Sequence, residues 1–142
     1  MRLEGRCVKD GRGWLAEIPM LDAMTQARTR RGVFEMTADL VRTLAGTEDL
    51  EVIVHGSRDG SLEVEVPDDA ALIALLLRRR RQAAGLTLAG AAERLGQTSR
   101  NAFARYEQGK AVPSVTRLAE LLRALDSRSD FVIRESRMPY GE

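Results

Sequence analysis

The chain has one cysteine, Cys7, among its 142 residues. No disulfide can form within it, and a cysteine-based zinc site is not expected. Aromatic residues make up only 4%, so a core must be built mainly from Leu, Val, Ile and Ala. No apolar run approaches the roughly 20 residues of a membrane span. The opening residues MRLEGRCVKDG lack the apolar segment of a secretory signal. A cytoplasmic protein with no membrane segment is therefore expected. His55 is the only histidine. A lone histidine supports neither a catalytic triad nor a metal centre without partners, so it reads as a structural residue beside Gly56. There is no internal repeat and no low-complexity stretch.

What remains is 44% hydrophobic and 30% charged, the balance of a globular rather than a disordered chain. The length suits one compact domain or two small ones. The net charge of +1 hides two unlike halves. Up to Pro67 there are 9 Lys and Arg against 12 Asp and Glu; from Asp68 onward the counts are 13 and 9. An acidic front and a basic back suggest two modules with different partners.

Residues 1–67 read as a small α+β unit. Asp10-Gly11-Arg12-Gly13 is a turn joining two extended segments, and Trp14 to Ile18 stops at Pro19. A third extended piece runs from Asp22 to Gln26. From Thr29 the period changes. Val33, Met36, Thr37, Leu40, Val41 and Leu44 recur at three- and four-residue steps, which predicts an amphipathic helix ending near Gly46. Leu50 to His55 and Leu62 to Val66 are strands around the hairpin signal Asp59-Gly60. Glu63 and Glu65 alternate with Leu62, Val64 and Val66, so the last strand is expected to have one wet face.

Pro67-Asp68-Asp69 marks the boundary. Residues 68–126 then read as helices only, over 69–84, 87–95, 100–108 and 115–125. Residues 127–142 form a tail in which Phe131 to Arg134 is a candidate strand. The block Leu86 to Leu125, LTLAGAAERLGQTSRNAFARYEQGKAVPSVTRLAELLRAL, carries the clearest signal. Three short amphipathic segments are separated by turns containing Gly or Pro, as a helix-turn-helix requires. Helical spacing turns Ala102, Phe103 and Tyr106 inward and Arg100, Asn101, Ala104 and Arg105 outward. Arg can hydrogen-bond guanine bidentately and Asn can do the same for adenine. Thr98 and Ser99, at the start of that helix, suit the phosphate backbone. Lys110, in the following loop, completes the candidate DNA-binding set.

The segment Leu76 to Leu125 resembles the XRE, or lambda-repressor-like, helix-turn-helix family. The matching residues are Gly85, Leu86, Thr87, Ala91, Leu95, Gly96, Tyr106-Glu107-x-Gly109, Pro113, Leu118 and Leu122. The turn after Gly96 is one residue longer than is usual in that family, which leaves the register of the recognition helix open by one position. The resemblance also implies an ion pair between Arg81 and Glu107. The rest of the run Arg78 to Arg81 spreads around its helix and cannot form one patch.

Residues 10–44 resemble the HicB antitoxin pattern through Asp10, Gly11, Trp14, Pro19, Thr25, Gln26 and Thr29, with Ala27 where the family often has Gly. That resemblance implies a truncated RNase H-like β-β-β-α-β unit ahead of the helix-turn-helix domain. It implies an antitoxin that occludes a small basic HicA-like mRNA endoribonuclease and autorepresses its operon, as a homodimer or higher oligomer on operator DNA. The alternative is a stand-alone repressor with an N-terminal sensor or oligomerisation domain. Asp10, Glu17, Asp22 and Asp39 invite a two-metal nuclease reading. That chemistry needs carboxylates converging on ions about 4 Å apart, and Asp10 and Asp22 fall in turns, so no enzyme, metal or cofactor is expected.

Overall fold

The computed structural model describes residues 1–96 and 100–137, with the backbone alone at Arg100. The chain divides into two units. The first comprises Met1–Asp69 and the end of the chain from Ser136; the second is Ala70–Glu135.

In the first unit, β1 (Arg2–Asp10) turns through Gly11 and Arg12 into β2 (Gly13–Ile18). A single 3-10 turn, Pro19–Leu21, leads to β3 (Ala23–Ala27), and α1 (Arg30–Ala45) follows. β4 (Ile53–Gly56) and β5 (Ser61–Glu65) complete the unit. The five strands form one sheet in the order β3-β2-β1-β5-β4, with every neighbouring pair antiparallel. β3 and β4 thus lie at opposite edges, and α1 is the connection between them.

Strand register sorts the side chains. Leu3 lies opposite Val64, and Cys7 opposite Ala16. These residues are buried, as are Val33, Thr37 and Val41 of α1. The Thr29 hydroxyl accepts the Gly32 amide at 2.9 Å and starts the helix. Met36, expected on the buried stripe, is 45% exposed; Ala38 is buried in its stead. Gly5 allows β2 to pass closely, since a Cβ there would collide with the Glu17 carbonyl oxygen.

The expected wet face of β5 needs correction. Leu62 and Val64 share one face as the alternation required, but Glu63 on the other face is only 2% exposed. β5 is an interior strand, and its carboxylates face Arg2 of β1 and His55 of β4. The Arg2 guanidinium lies 3.0 Å from Glu63 and 3.2 Å from Glu65. His55 is fully buried, with Nε2 2.7 Å from Glu65 Oε2. The Ser136 hydroxyl donates to Glu63 and accepts from Arg2 at 3.0 Å. Burial would raise the Glu65 carboxyl. The hydrogen bond from His55 and the charge of Arg2 outweigh it and hold this group below the usual carboxylate range.

The second unit contains α2 (from its start at Asp69 to Ala83), α3 (Leu88–Arg94), α4 (Arg100–Glu107) and α5 (Val115–Leu125). The Thr87 hydroxyl caps α3 through the Gly90 amide at 3.0 Å, and Ser114 caps α5 through the Arg117 amide at 3.1 Å. The core includes Leu72–Leu77 of α2, the small pair Ala91 and Ala92 of α3, Phe103 of α4, and Leu118, Leu121, Leu122 and Leu125 of α5. Past α5 the candidate strand at 131–134 is not a strand. Residues 131–137 belong to no strand, and the Ser136 side chain meets Glu63 and Arg2.

Candidate nucleic-acid interface

α4 is seated by one large side chain. Phe103 is completely buried, against helices that include the small Ala91 and Ala92. A bulkier residue at either alanine would push α3 away from its neighbours. Two residues past α4 comes Gly109, whose φ of +69° lies in the left-handed region open to glycine. The Lys110 amide then closes the turn on the Arg105 carbonyl at 3.0 Å. This ending carries the chain away from α4 and places Lys110 just beyond it.

The orientation of α4 is fixed from α2. Arg81 donates from Nε to Glu107 Oε1 at 2.6 Å and from Nη2 to Oε2 at 3.2 Å. A third donor, Nη1, reaches the Leu86 carbonyl at 2.8 Å. Both side chains are largely buried, at 15% and 8% exposure. Bidentate geometry with the remaining donor satisfied is what makes a buried pair tolerable. Arg78 adds a bond of 3.4 Å to the Glu107 carbonyl, and Arg80 reaches Asp126 and Ser129 at 3.4 Å. All four arginines therefore bond within their own unit, Arg79 through Gln82 at the surface.

The outward face of α4 can be followed among its described side chains. Asn101 and Arg105 are exposed and lie one turn apart, so they share a face. Lys110 is exposed in the next loop. Arg100 begins the helix, and its side chain, like Thr98 and Ser99, lies outside the described residues. Ala102, Ala104 and Tyr106 are half-buried, and Glu107 is buried at the end of the helix. The i, i+4 pair of an amide and a guanidinium can hydrogen-bond the edges of neighbouring bases from one groove.

The carboxylates of the nuclease reading stand apart in role. Glu17 pairs with Arg6 at 3.0 Å and Asp39 with Arg42 at 3.1 Å. Asp10 ends β1, and Asp22 takes a left-handed turn conformation. Among the described residues no three His, Cys, Asp or Glu side chains gather as a metal site. Other acidic groups, Glu48, Asp49 and Glu51 with Asp39, line an open groove of about 870 Å³ at the end of α1. The sequence reading missed the interior Arg2–Glu63–Glu65–His55 cluster. Its only signal was a charge at every second position of a strand, which surface strands also show.

Residues 72–130 match the family model of a helix-turn-helix domain. No curated protein matches the chain. The C-terminal part of the chain thus carries a helix-turn-helix domain, which suggests DNA-binding transcription regulation, beside an antiparallel α+β unit. No helix among the described residues is long and apolar enough to cross a membrane.

Proposed function

We propose that this chain is an antitoxin and autorepressor in which the helix-turn-helix domain binds the operator and the α+β unit engages a HicA-like toxin. The observation that carries the DNA-binding half is the pairing of Asn101 and Arg105 on the open face of a helix anchored by Phe103 and by Glu107. Groove recognition needs rigid presentation of a few polar side chains, and this helix supplies it. Thr98, Ser99 and Lys110 complete the contacts in this reading, on the phosphate backbone. A homodimer would present two such helices to half-sites one helical turn, about 34 Å, apart.

The toxin-binding half rests on the HicB-like residues of 10–44 and on charge. The acidic excess before Pro67 and the acidic groove at the end of α1 suit a basic protein partner. In this reading the α+β unit masks the partner's RNA-cleaving surface by occlusion, and the chain itself is not an enzyme.

Co-expression with the short basic reading frame beside its gene, if one exists, tests the proposal. The pair should co-purify, and this chain should relieve the growth arrest caused by the partner. Specific binding to its own promoter should be lost on substituting Asn101 and Arg105. Promoter binding without any toxin partner would identify a stand-alone repressor. Promoter binding unaffected by either substitution would reject the recognition-helix assignment.

A further inference from the structure

Two adjacent aliphatic side chains beyond α5 are exposed: Val132 at 84% and Ile133 at 81%. They sit in a segment with no strand partner in its own chain. Asp130 and Arg134 flank them at equal distances from Val132, and both are exposed. Exposed β-branched residues in such a segment are a template for strand addition.

We propose that residues 130–134 of two copies pair as an antiparallel two-fold strand ribbon centred on Val132. The register follows from side-chain chemistry. With Val132 on the axis, residue i faces residue 264 − i of the second copy. Asp130 then lies opposite Arg134 on both sides of the centre, and Phe131 lies opposite Ile133. Opposite charges and aromatic–aliphatic pairs are the favourable cross-strand combinations. A slip by one residue toward the C-terminus sets Asp130 against Glu135, two like charges, and turns each side chain to the other face. The segment is thus complementary to itself in the register centred on Val132, as an isologous interface must be.

Asp130 and Arg134 both already have contacts in their own chain, that of Asp130 being Arg123 at 4.0 Å, so the ribbon exchanges contacts rather than filling vacant ones; the Asp130 contact is the weaker kind to give up. That pair is largely exposed and costs little to exchange. Phe131 is half-buried in the single chain, so Val132 and Ile133 contribute most of the newly covered apolar surface. A five-residue ribbon is a small contact, marginal by itself. It gives a concentration-dependent dimer that two adjacent half-sites would stabilise by holding both copies on one DNA. The inference deepens the dimeric reading above, but its test is made without DNA, so the two can fail separately.

Sedimentation of the full chain across a concentration series should show a reversible approach to twice the 15.7 kDa chain mass. Val132→Asp, which sets two carboxylates face to face on the axis, should leave a monomer with unchanged circular dichroism. Asp130→Arg and Arg134→Asp should each weaken association by about tenfold, because two symmetric attractive pairs become repulsive. The double variant should recover it. Val132→Cys should oxidise readily to a covalent dimer, and Arg134→Cys should not; the one native thiol, Cys7, is only 3% exposed. A chain that stays monomeric throughout, a V132D dimer, or a double variant as weak as the single ones would overturn the proposal. Loss of operator binding by Asn101→Ala with dimerisation intact would leave it standing.

Discussion

The Arg81 guanidinium grips the Glu107 carboxylate with two hydrogen bonds, of 2.6 and 3.2 Å, and so ties the end of α4 to α2. Removing one partner of a buried ion pair leaves an uncompensated charge. Arg81→Ala should therefore destabilise the protein by about 3–5 kcal/mol. Replacing both residues, as Arg81→Met with Glu107→Leu, should cost much less than either single change. Urea denaturation of the three variants measures this. An Arg81→Ala variant as stable as the parent would show that the clasp does not hold α4.

Asn101 and Arg105 should differ from Lys110 in what they do for DNA binding. Alanine at either helix position should lower operator affinity by about 1–3 kcal/mol and relax base preference at a single position. Lys110→Ala should weaken all sequences alike and reduce the salt dependence by about one charge equivalent. Fluorescence anisotropy on operator and scrambled duplexes, over a salt series, separates the two patterns.

Gly5 leaves no space for a Cβ because the Glu17 carbonyl of the adjacent strand occupies it. Gly5→Ala requires β1 and β2 to part. A loss of about 1–3 kcal/mol is expected, the usual cost of forced overpacking. Gly11→Ala, with open space around its missing Cβ, should show only the strain of its positive φ. Thermal melts of the two variants test the contrast between a steric and a conformational penalty.

Glu65 and Asp59 set the acid response of the first unit. Both carboxyls are lowered on folding, so each favours the folded state above its unfolded pKa and loses that contribution as pH falls through its folded value. For Asp59 the folded value is about 2, set by hydrogen bonds from the Ser57 hydroxyl and the Ser61 amide. Its carboxyl carbon should titrate in carbon-detected NMR near that value, and Ser57→Ala should move the midpoint up toward the ordinary range. Glu65→Gln should be less stable than the parent at neutral pH. The gap should narrow as pH falls below the ordinary glutamate range and close once the parent carboxyl, held low by His55 and Arg2, also takes a proton. A gap that persists in acid would mean that packing rather than charge accounts for the difference.

Most of the local structure was legible in the sequence. The turn at Gly11-Arg12 and the spans of α1 through α5 rest on interactions between residues a few positions apart. Short-range chemistry of that kind is written in neighbouring letters. Met36 was misplaced because a helical stripe wider than the core it meets has an edge, and only packing decides which residues fall there. Phe131 to Arg134 has strand-like composition, yet composition cannot supply a partner strand.

The sequence alone determined the order of the elements, the α+β unit ahead of a helical one, and the residue types available to meet DNA. It did so because hydrophobic period, caps and turn residues act locally. Tertiary structure decided what depends on distant contacts. It made β5 an interior strand and so buried Glu63 with His55 and Arg2 nearby. It set Arg78, Arg80 and Arg81 against internal acceptors and, among the described side chains of α4, exposed Asn101 and Arg105. Burial and pairing are properties of neighbours brought from afar, and no stretch of sequence carries them by itself.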